Sequence, residues 1–388
     1  MSRYCMLGCY GEGNLGDEAI LSGLMTLISK SDSQAEFTVF VGEGYFMSRY
    51  ATETVLDLSI SIYRHWLGLF LKLKVVDLFA KIIRSDVLII GGGELIRDDF
   101  GLSPLISILE KFLIAKAFGK KVLILGIGVG SLKTALGKKI TRFMVDHCDG
   151  VITRDSASCQ ALAAICAAKR LQFTTDVAFA LPCSDTVKNS RDFKIAVSLR
   201  DWPSAWSSST ISKARQIEIY GKFAVEFGKL LQELQKRHDC EIVFIPFRDI
   251  EGDSDLASIK YILSKSEISN FRIEPCSDDL SKVKKVISGC DLMIGMRLHS
   301  CILALTEGVP TVTINYDPKN TKLMNGFNMQ DSIIDMYHPC HSTYFKQCEK
   351  VLEYTRGEIT SLVASYIADM IVKYDSVVKS ISSESIRP

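Results

Sequence analysis

Arg297 and His299 stand two residues apart in "DLMIGMRLHSCILALTEGVP", between an apolar run at Leu292–Ile294 and helix-forming residues that resume near Ser300. An arginine beside a histidine in a strand-to-helix turn offers a fixed cation and a group that titrates near neutrality, next to the N–H groups of a helix start. If the turn is extended, this spacing puts both side chains on one face. Such a pair could hold an anion and move a proton. The same residues also permit a plainer arrangement, with a packed or capping histidine and a salt-bridged arginine. Three more arginines follow apolar runs: Arg154 after "GVIT", Arg200 after "IAVSL" and Arg248 after "IVFIPF". Guanidinium groups grip carboxylate and phosphate in two-pronged fashion, so the set would suit a small ligand with several negative charges.

Two glycine-rich stretches could bring backbone to a ligand. "LIIGGGELIRDD" puts Gly91, Gly92 and Gly93 directly after an apolar run. That is either a tight turn or a set of N–H groups facing a ligand. The opening "GCYGEGNLGDEAIL" spells G-x-G-x-x-G with Gly11, Gly13 and Gly16, and Glu43 lies at the end of the next apolar run. This is the layout of a dinucleotide fingerprint. Asp17 and Glu18 argue against it, because they already complement the helix dipole and would repel a diphosphate. No cofactor is therefore expected. The six histidines form no metal-ligand spacing, and neither a G-x-S-x-G elbow nor a phosphate-loop lysine is present.

The elements that must position these residues alternate. Short Val- and Ile-rich runs ("RYCMLG", "EFTVFV", "DVLII", "KVLILGIG", "GVITR", "LQFTTDVAFA") are separated by helix-like stretches. Near-continuous apolar strands belong to parallel sheets covered on both faces, and repeated β-α-β units give a doubly wound domain. The polar stretch 181–192 reads as a linker, after which "FKIAVSLR", "CEIVFIPF", "FRIEP", "DLMIGM" and "PTVTINY" repeat the pattern. The expected fold is α/β, with two Rossmann-like doubly wound domains at 1–182 and 193–341 facing across a cleft, and a helical C-terminal tail at 342–388. Ligands of such sheets bind beyond the carboxyl ends of the strands, where the arginines and glycines fall.

A net charge of +1 gives no electrostatic reason to expect nucleic acid. Twelve cysteines without a C-x-x-C pair, many inside apolar runs, fit a reducing cytoplasm. The N-terminus turns polar by Gly11, too early for a secretory signal, and no uncharged apolar run reaches membrane-spanning length. The stretch "HWLGLFLKLKVVDLFAKII" mixes Trp66 and Phe70 with lysines. It reads as an amphipathic helix covering a sheet or as one lying on a membrane surface, which would place the protein at the inner face of the membrane.

Taken together, "CYGEGNLGDEAIL", "IIGGGELIRDD", "TRDSAS", "SLRDW", "IPF", "GMRLHSCILALTEGVP" and "NYDPK" resemble, in order, the motifs of the polysaccharide pyruvyl transferase family. One departure is Asp176-Val177, where many members carry Asp-Pro. The resemblance implies a glycosyltransferase B-like fold. It also implies transfer of pyruvate from phosphoenolpyruvate onto two hydroxyls of a sugar in a cell-surface glycan, or its lipid-linked precursor, as a cyclic ketal. On that reading His299 and Arg297 are catalytic. Arg154, Arg200, Asn14, Asp17, Gly92, Gly93, Glu94, Ser300 and Lys319 bind substrate. A nucleotide-sugar glycosyltransferase shares the architecture, but "CILAL" carries no acid for a donor ribose before Glu307. A non-catalytic glycan- or anion-binding protein would share it too, without releasing phosphate.

The carboxylates at the first helix start make cofactor independence testable. Titration calorimetry with NADH should show no binding at micromolar concentration. Tight binding that Gly13→Val abolishes would restore the dinucleotide reading of this loop.

Overall fold

The computed structural model describes residues 2–41, 53–56, 78–167, 171–184, 192–203, 211–277 and 279–384. The chain divides into two compact units, Met1–Leu181 with Ile367–Pro388, and Pro182–Tyr366.

The first unit is built on a parallel sheet. Its strands are β1 (Arg3–Leu7), β2 (Glu36–Val41), β3 (Glu53–Leu56), β4 (Val87–Gly91), β5 (Lys121–Ile127), β6 (Gly150–Thr153) and β7 (Leu171–Phe173). Their spatial order is β3-β2-β1-β4-β5-β6-β7. Every side chain of β4 and β6 is buried, as a sheet covered on both faces requires. The helices are α1 (Leu15–Ser31), α2 (Ser103–Ala117), α3 (Ala135–His147) and α4 (Ser156–Ala163). From β1 the chain winds one way to β2 and β3, then returns to β4 and winds the other way. The sheet therefore reverses between β1 and β4, and the loops after those two strands are "GCYGEGNLGD" and "GGGELIRDD".

The second unit repeats this logic with strands β8 (Lys194–Ser198), β9 (Glu241–Phe244), β12 (Phe271–Ile273), β13 (Leu292–Gly295), β14 (Thr311–Asn315) and β15 (Ile333–Asp335). Their order is β12-β9-β8-β13-β14-β15, all parallel. A two-residue antiparallel hairpin, β10 (Asp249–Ile250) and β11 (Asp253–Ser254), stands apart from that sheet. The helices are α5 (Lys213–His238), α6 (Asp255–Leu263), α7 (Leu280–Ser288), α8 (Leu298–Thr306), α9 (Pro318–Gly326) and α10 (His341–Val351). The reversal here lies between β8 and β13. The loops that follow them carry Arg200 and Arg297.

Two expectations change in detail. "LQFTTDVAFA" is not one strand: β7 ends at Phe173, and Val177–Ala180 form a 3₁₀ turn. Asp176 caps that turn by accepting the Ala178 N–H at 3.0 Å, so the turn forms with valine in the following position. Helix α8 starts at Leu298 instead of Ser300, which puts His299 inside the helix. The C-terminal helix α11 (Arg356–Glu384) crosses the division of the chain, its part from Ile367 onward grouping with the first unit. There Tyr374 is buried and Ser31 donates to Asp375 at 2.9 Å.

The linker at 181–192 is described only at its ends. Ser184 donates its N–H to Glu307 at 3.0 Å, and Lys284 pairs with Glu307 at 3.1 Å and bonds the Pro182 carbonyl. Of the Trp66–Ile83 stretch, residues 66–77 lie outside the described residues. No helix among the described residues is long and apolar enough to cross a membrane.

Helix α1 is buried on nearly all sides and packs closely on the 3₁₀ turn, where a Cβ at Gly23 would overlap the Val177 carbonyl. Backbone cannot yield as a side-chain tip can. Gly23→Ala should therefore destabilise the first unit by about 1–3 kcal/mol, the usual cost of overpacking. Thermal unfolding followed by circular dichroism checks this, and an unchanged melting temperature would show that α1 can shift to make room.

Candidate active site

The β13–α8 turn is shaped by close packing. A Cβ at Gly295 would lie 2.5 Å from Cys301 Sγ and 2.6 Å from Ser300 Oγ, so only glycine lets α8 begin this close to its strand. The Ser300 hydroxyl donates to the Arg297 carbonyl at 2.6 Å. Asn320, which is fully buried, donates to the Met296 carbonyl at 2.8 Å, Thr313 Oγ1 at 3.0 Å and the Ile314 carbonyl at 3.1 Å. These bonds fix the direction in which Arg297 leaves the backbone.

Arg297 is 8% exposed, and its guanidinium meets two carboxylates. Nη2 donates to Asp255 at 2.6 Å and to Asp253 at 2.8 Å, and Nε donates to Asp255 at 3.0 Å. Burial alone would lower its pKa, but Asp255 and Asp253 outweigh that and hold it above its ordinary value. The Nε and Nη2 edge of its fork is thus occupied by protein carboxylates. Asp255 is itself anchored, accepting the backbone N–H groups of Phe247 at 2.8 Å and Arg248 at 3.1 Å.

Neither aspartate was legible as a site residue, although "FRDIEGDSDL" holds a visible signal. Four acids follow a strand-end arginine within eight residues, Arg248 to Asp255. Nothing in the sequence pairs them with an arginine more than 40 positions away, whereas in the fold Asp253 and Asp255 reach Arg297 at separations of 44 and 42.

Asp253 is the common neighbour of three arginines. Arg200 Nε lies 3.6 Å from one oxygen and Arg248 Nε 3.6 Å from the other, beside the bond to Arg297. A separation of 3.6 Å is an ion pair without a hydrogen bond. Both Nε atoms are buried and have no hydrogen-bond acceptor. Arg200 also donates to the Tyr316 hydroxyl at 3.3 Å and lies 5.6 Å from that ring's centre. Lys319 approaches the same ring at 6.0 Å and is held more loosely, 3.6 Å from Asp317. Three guanidinium groups against Asp253 and Asp255 leave one positive charge over among these five side chains.

Arg200 and Lys319 thus meet at Tyr316, and Arg200, Arg248 and Arg297 meet at Asp253. His299 is half-buried in the first turn of α8. Arg297 is extended, with φ of −71° and ψ of 128°, and the helix begins at Leu298 between the two residues. Ser300 is fully buried, with its hydroxyl bonded to the Arg297 carbonyl.

The first unit assembles the remaining predicted residues at its own strand reversal. Asn14 caps α1, accepting the Gly16 N–H at 3.2 Å, and its amide donates to Asp17 at 2.6 Å. Glu18, buried, accepts the Gly11 N–H at 2.8 Å and so closes the glycine loop on the helix that follows it. Gly92 and Gly93 have φ of 80° and 66°, and a Cβ at Gly93 would sit 3.5 Å from Asp17. Beside them Arg154 pairs with Glu94 at 2.7 Å. It lies flat on Gly128, where a Cβ would come within 2.7 Å of the guanidinium. Arg97 grips Asp99 with two bonds of 2.5 and 2.6 Å. Among the described residues no group of three or more His, Cys, Asp or Glu could hold a metal ion.

Two parallel sheets, each with polar residues at its strand reversal, give an α/β fold of the glycosyltransferase B type. Solved structures share this fold. A Listeria monocytogenes protein described as a UDP-N-acetylglucosamine 2-epimerase has a TM-score of 0.60 at 13% identity, covering 100% of this chain and 98% of its own. The UDP-GlcNAc 2-epimerase of Methanocaldococcus jannaschii has a TM-score of 0.59 at 12% identity, covering 96% and 100%. Such low identities carry the fold alone. Residues 14–318 match the polysaccharide pyruvyl transferase model, and the chain belongs to that family. It is also similar to the amylovoran biosynthesis protein AmsJ of Erwinia amylovora, at 23% identity over 275 residues; the match spans 66% of this chain and 63% of AmsJ.

Removing one partner of a buried ion pair strands the other charge, which typically costs about 3–5 kcal/mol, whereas replacing both by apolar groups costs far less. Arg297→Met should therefore destabilise the second unit by about that amount, and Arg297→Met/Asp255→Leu should recover part of it. Denaturant unfolding measures both. A single variant as stable as wild type would show that the pair does not anchor the turn.

Proposed function

We propose that the protein transfers pyruvate from phosphoenolpyruvate to two hydroxyls of one sugar, forming a cyclic ketal and releasing phosphate. The observation that supports this most is the cation cluster at the strand reversal of the second unit. There the buried Nε donors of Arg200 and Arg248 have no hydrogen bond, and one positive charge is in excess. Phosphoenolpyruvate carries a carboxylate and a phosphate on adjacent groups, and guanidinium donors match both. In this reading Arg200, Arg248 and Lys319 bind the donor. Arg297, locked by Asp255, holds the frame.

Chemistry then requires one proton on the methylene carbon, two oxygen–carbon bonds to the adjacent carbon, and departure of phosphate. The sugar hydroxyls surrender two protons, one for the methylene carbon and one for phosphate. His299 lies two residues from Arg297 in the first turn of α8 and is the candidate to carry a proton between them. The first unit would hold the acceptor through Asn14, Asp17, Glu94 and Arg154, around the open backbone of Gly92 and Gly93. The acceptor would be a glycan or its lipid-linked precursor, met on the cytoplasmic side of the membrane.

The nucleotide-sugar alternative needs an acid for the donor ribose. Glu307, the acid nearest Gly308, is 4% exposed and tied to Lys284 and Ser184. That commitment disfavours the alternative.

Phosphate release from phosphoenolpyruvate across a panel of glycan acceptors tests the reaction. Release with no acceptor in the panel, or none at all, would count against it. His299→Gln should lower kcat by about two to four orders of magnitude while phosphoenolpyruvate still binds and the melting temperature holds. Near-normal turnover in that variant would remove His299 as the proton carrier.

A further inference from the structure

Asp253 and Asp255 both face Arg297, but they are held differently. Asp255 is fully buried and opens α6, with two backbone N–H groups and two guanidinium nitrogens on its carboxylate. Asp253 belongs to the β10–β11 hairpin, whose tip, Glu251–Gly252, is exposed. Gly252 turns the hairpin at a φ of 82°. The Asp253 carboxylate makes one hydrogen bond, to Arg297, and rests 3.6 Å from both Arg200 and Arg248.

We infer that Asp253 is an exchangeable internal anion, occupying the place of the ligand's charge until ligand binding displaces it. Electrostatics supports this division of labour. Arg297 already has a two-pronged counter-ion in Asp255, so Asp253 is not needed to neutralise it. Asp253 instead screens Arg200 and Arg248, whose Nε donors it does not reach. An incoming phosphate or carboxylate, free of the hairpin backbone, can close to hydrogen-bond distance, about 2.7–2.9 Å for charged groups. It would satisfy two buried donors that the resident carboxylate leaves without a bond, and this favours the exchange. The hairpin offers a route, since its base is fixed at Asp255, whose own N–H is bonded to the Arg248 carbonyl at 2.9 Å, while its tip is in solvent.

The inference rests on the anion site assigned above, but not on the identity of the donor. Inorganic phosphate is therefore the probe, and a failure of pyruvyl transfer would leave its result intact. A resident competitor lowers apparent affinity by the fraction of molecules in which the site is open. If that fraction is a tenth or less, Asp253→Asn should bind phosphate about tenfold more tightly than wild type, or better, by titration calorimetry of the full chain. Asparagine keeps the shape and can still accept from Arg297. Equal or weaker phosphate binding by a variant with wild-type melting temperature would overturn the inference, as would no phosphate binding by either protein.

A second measurement needs no variant. Hydrogen exchange on the wild type should become faster at the Ile250 and Asp253 amides when phosphate is added, because the hairpin is released. Unchanged or slower exchange there at saturating phosphate would equally overturn it.

Discussion

A guanidinium can lie at the buried end of a parallel strand only if its charge is met there. Arg297 meets this condition through Asp255, and much of the second unit's site follows from that one pair. Removing both charges from water costs several kcal/mol for each ion, so the geometry has to be close and the remaining donors and acceptors filled. Asp255 collects two backbone N–H groups, and Arg297 delivers three hydrogen bonds to it and one to Asp253, all from Nε and Nη2. The pair joins the start of α6 to the β13–α8 turn. Arg200 and Arg248 thereby acquire fixed neighbours.

The consequence is a separation of roles that residue type alone would not reveal. Arg297 spends its Nε and Nη2 donors on protein carboxylates. Its neighbours Arg200 and Arg248 retain buried Nε donors without acceptors, and Lys319 is partly exposed over the same tyrosine. The first unit shows a comparable arrangement, with Arg97 gripped by Asp99 through two bonds and Arg154 paired with Glu94 by a single bond of 2.7 Å.

Glycine does related work in both units, by allowing approach and not by supplying flexibility. Gly295 brings α8 to its strand, and Gly128 lets Arg154 rest on the backbone. The three glycines of the opening loop look like a nucleotide motif in one dimension. In the fold, Glu18 closes that loop by taking the Gly11 N–H, and Asn14 and Asp17 bond each other at its mouth. The spacing of the glycines is shared with dinucleotide enzymes, while the charges placed among them are not.

The sequence by itself determined the alternation of strands and helices, because a strand buried on both faces must be apolar along its length and the turns between strands are polar. It also determined the family, through motifs that run in order from "CYGEGNLGDEAIL" to "NYDPK". The positions of Arg154, Arg200 and Arg297 at strand ends were legible for the same reason. The start of α8 was misplaced by two residues, since Leu298 and His299 fit a loop or a first turn equally well. Only the tertiary structure decided which strand ends adjoin. Buried parallel strands look alike in composition, so their order, and hence the meeting of β1 with β4 and of β8 with β13, is not written in any one of them. Asp253 and Asp255 became visible as partners of Arg297 only through that order. An ion pair between residues more than 40 positions apart depends on where the sheet reverses, and no local pattern specifies that.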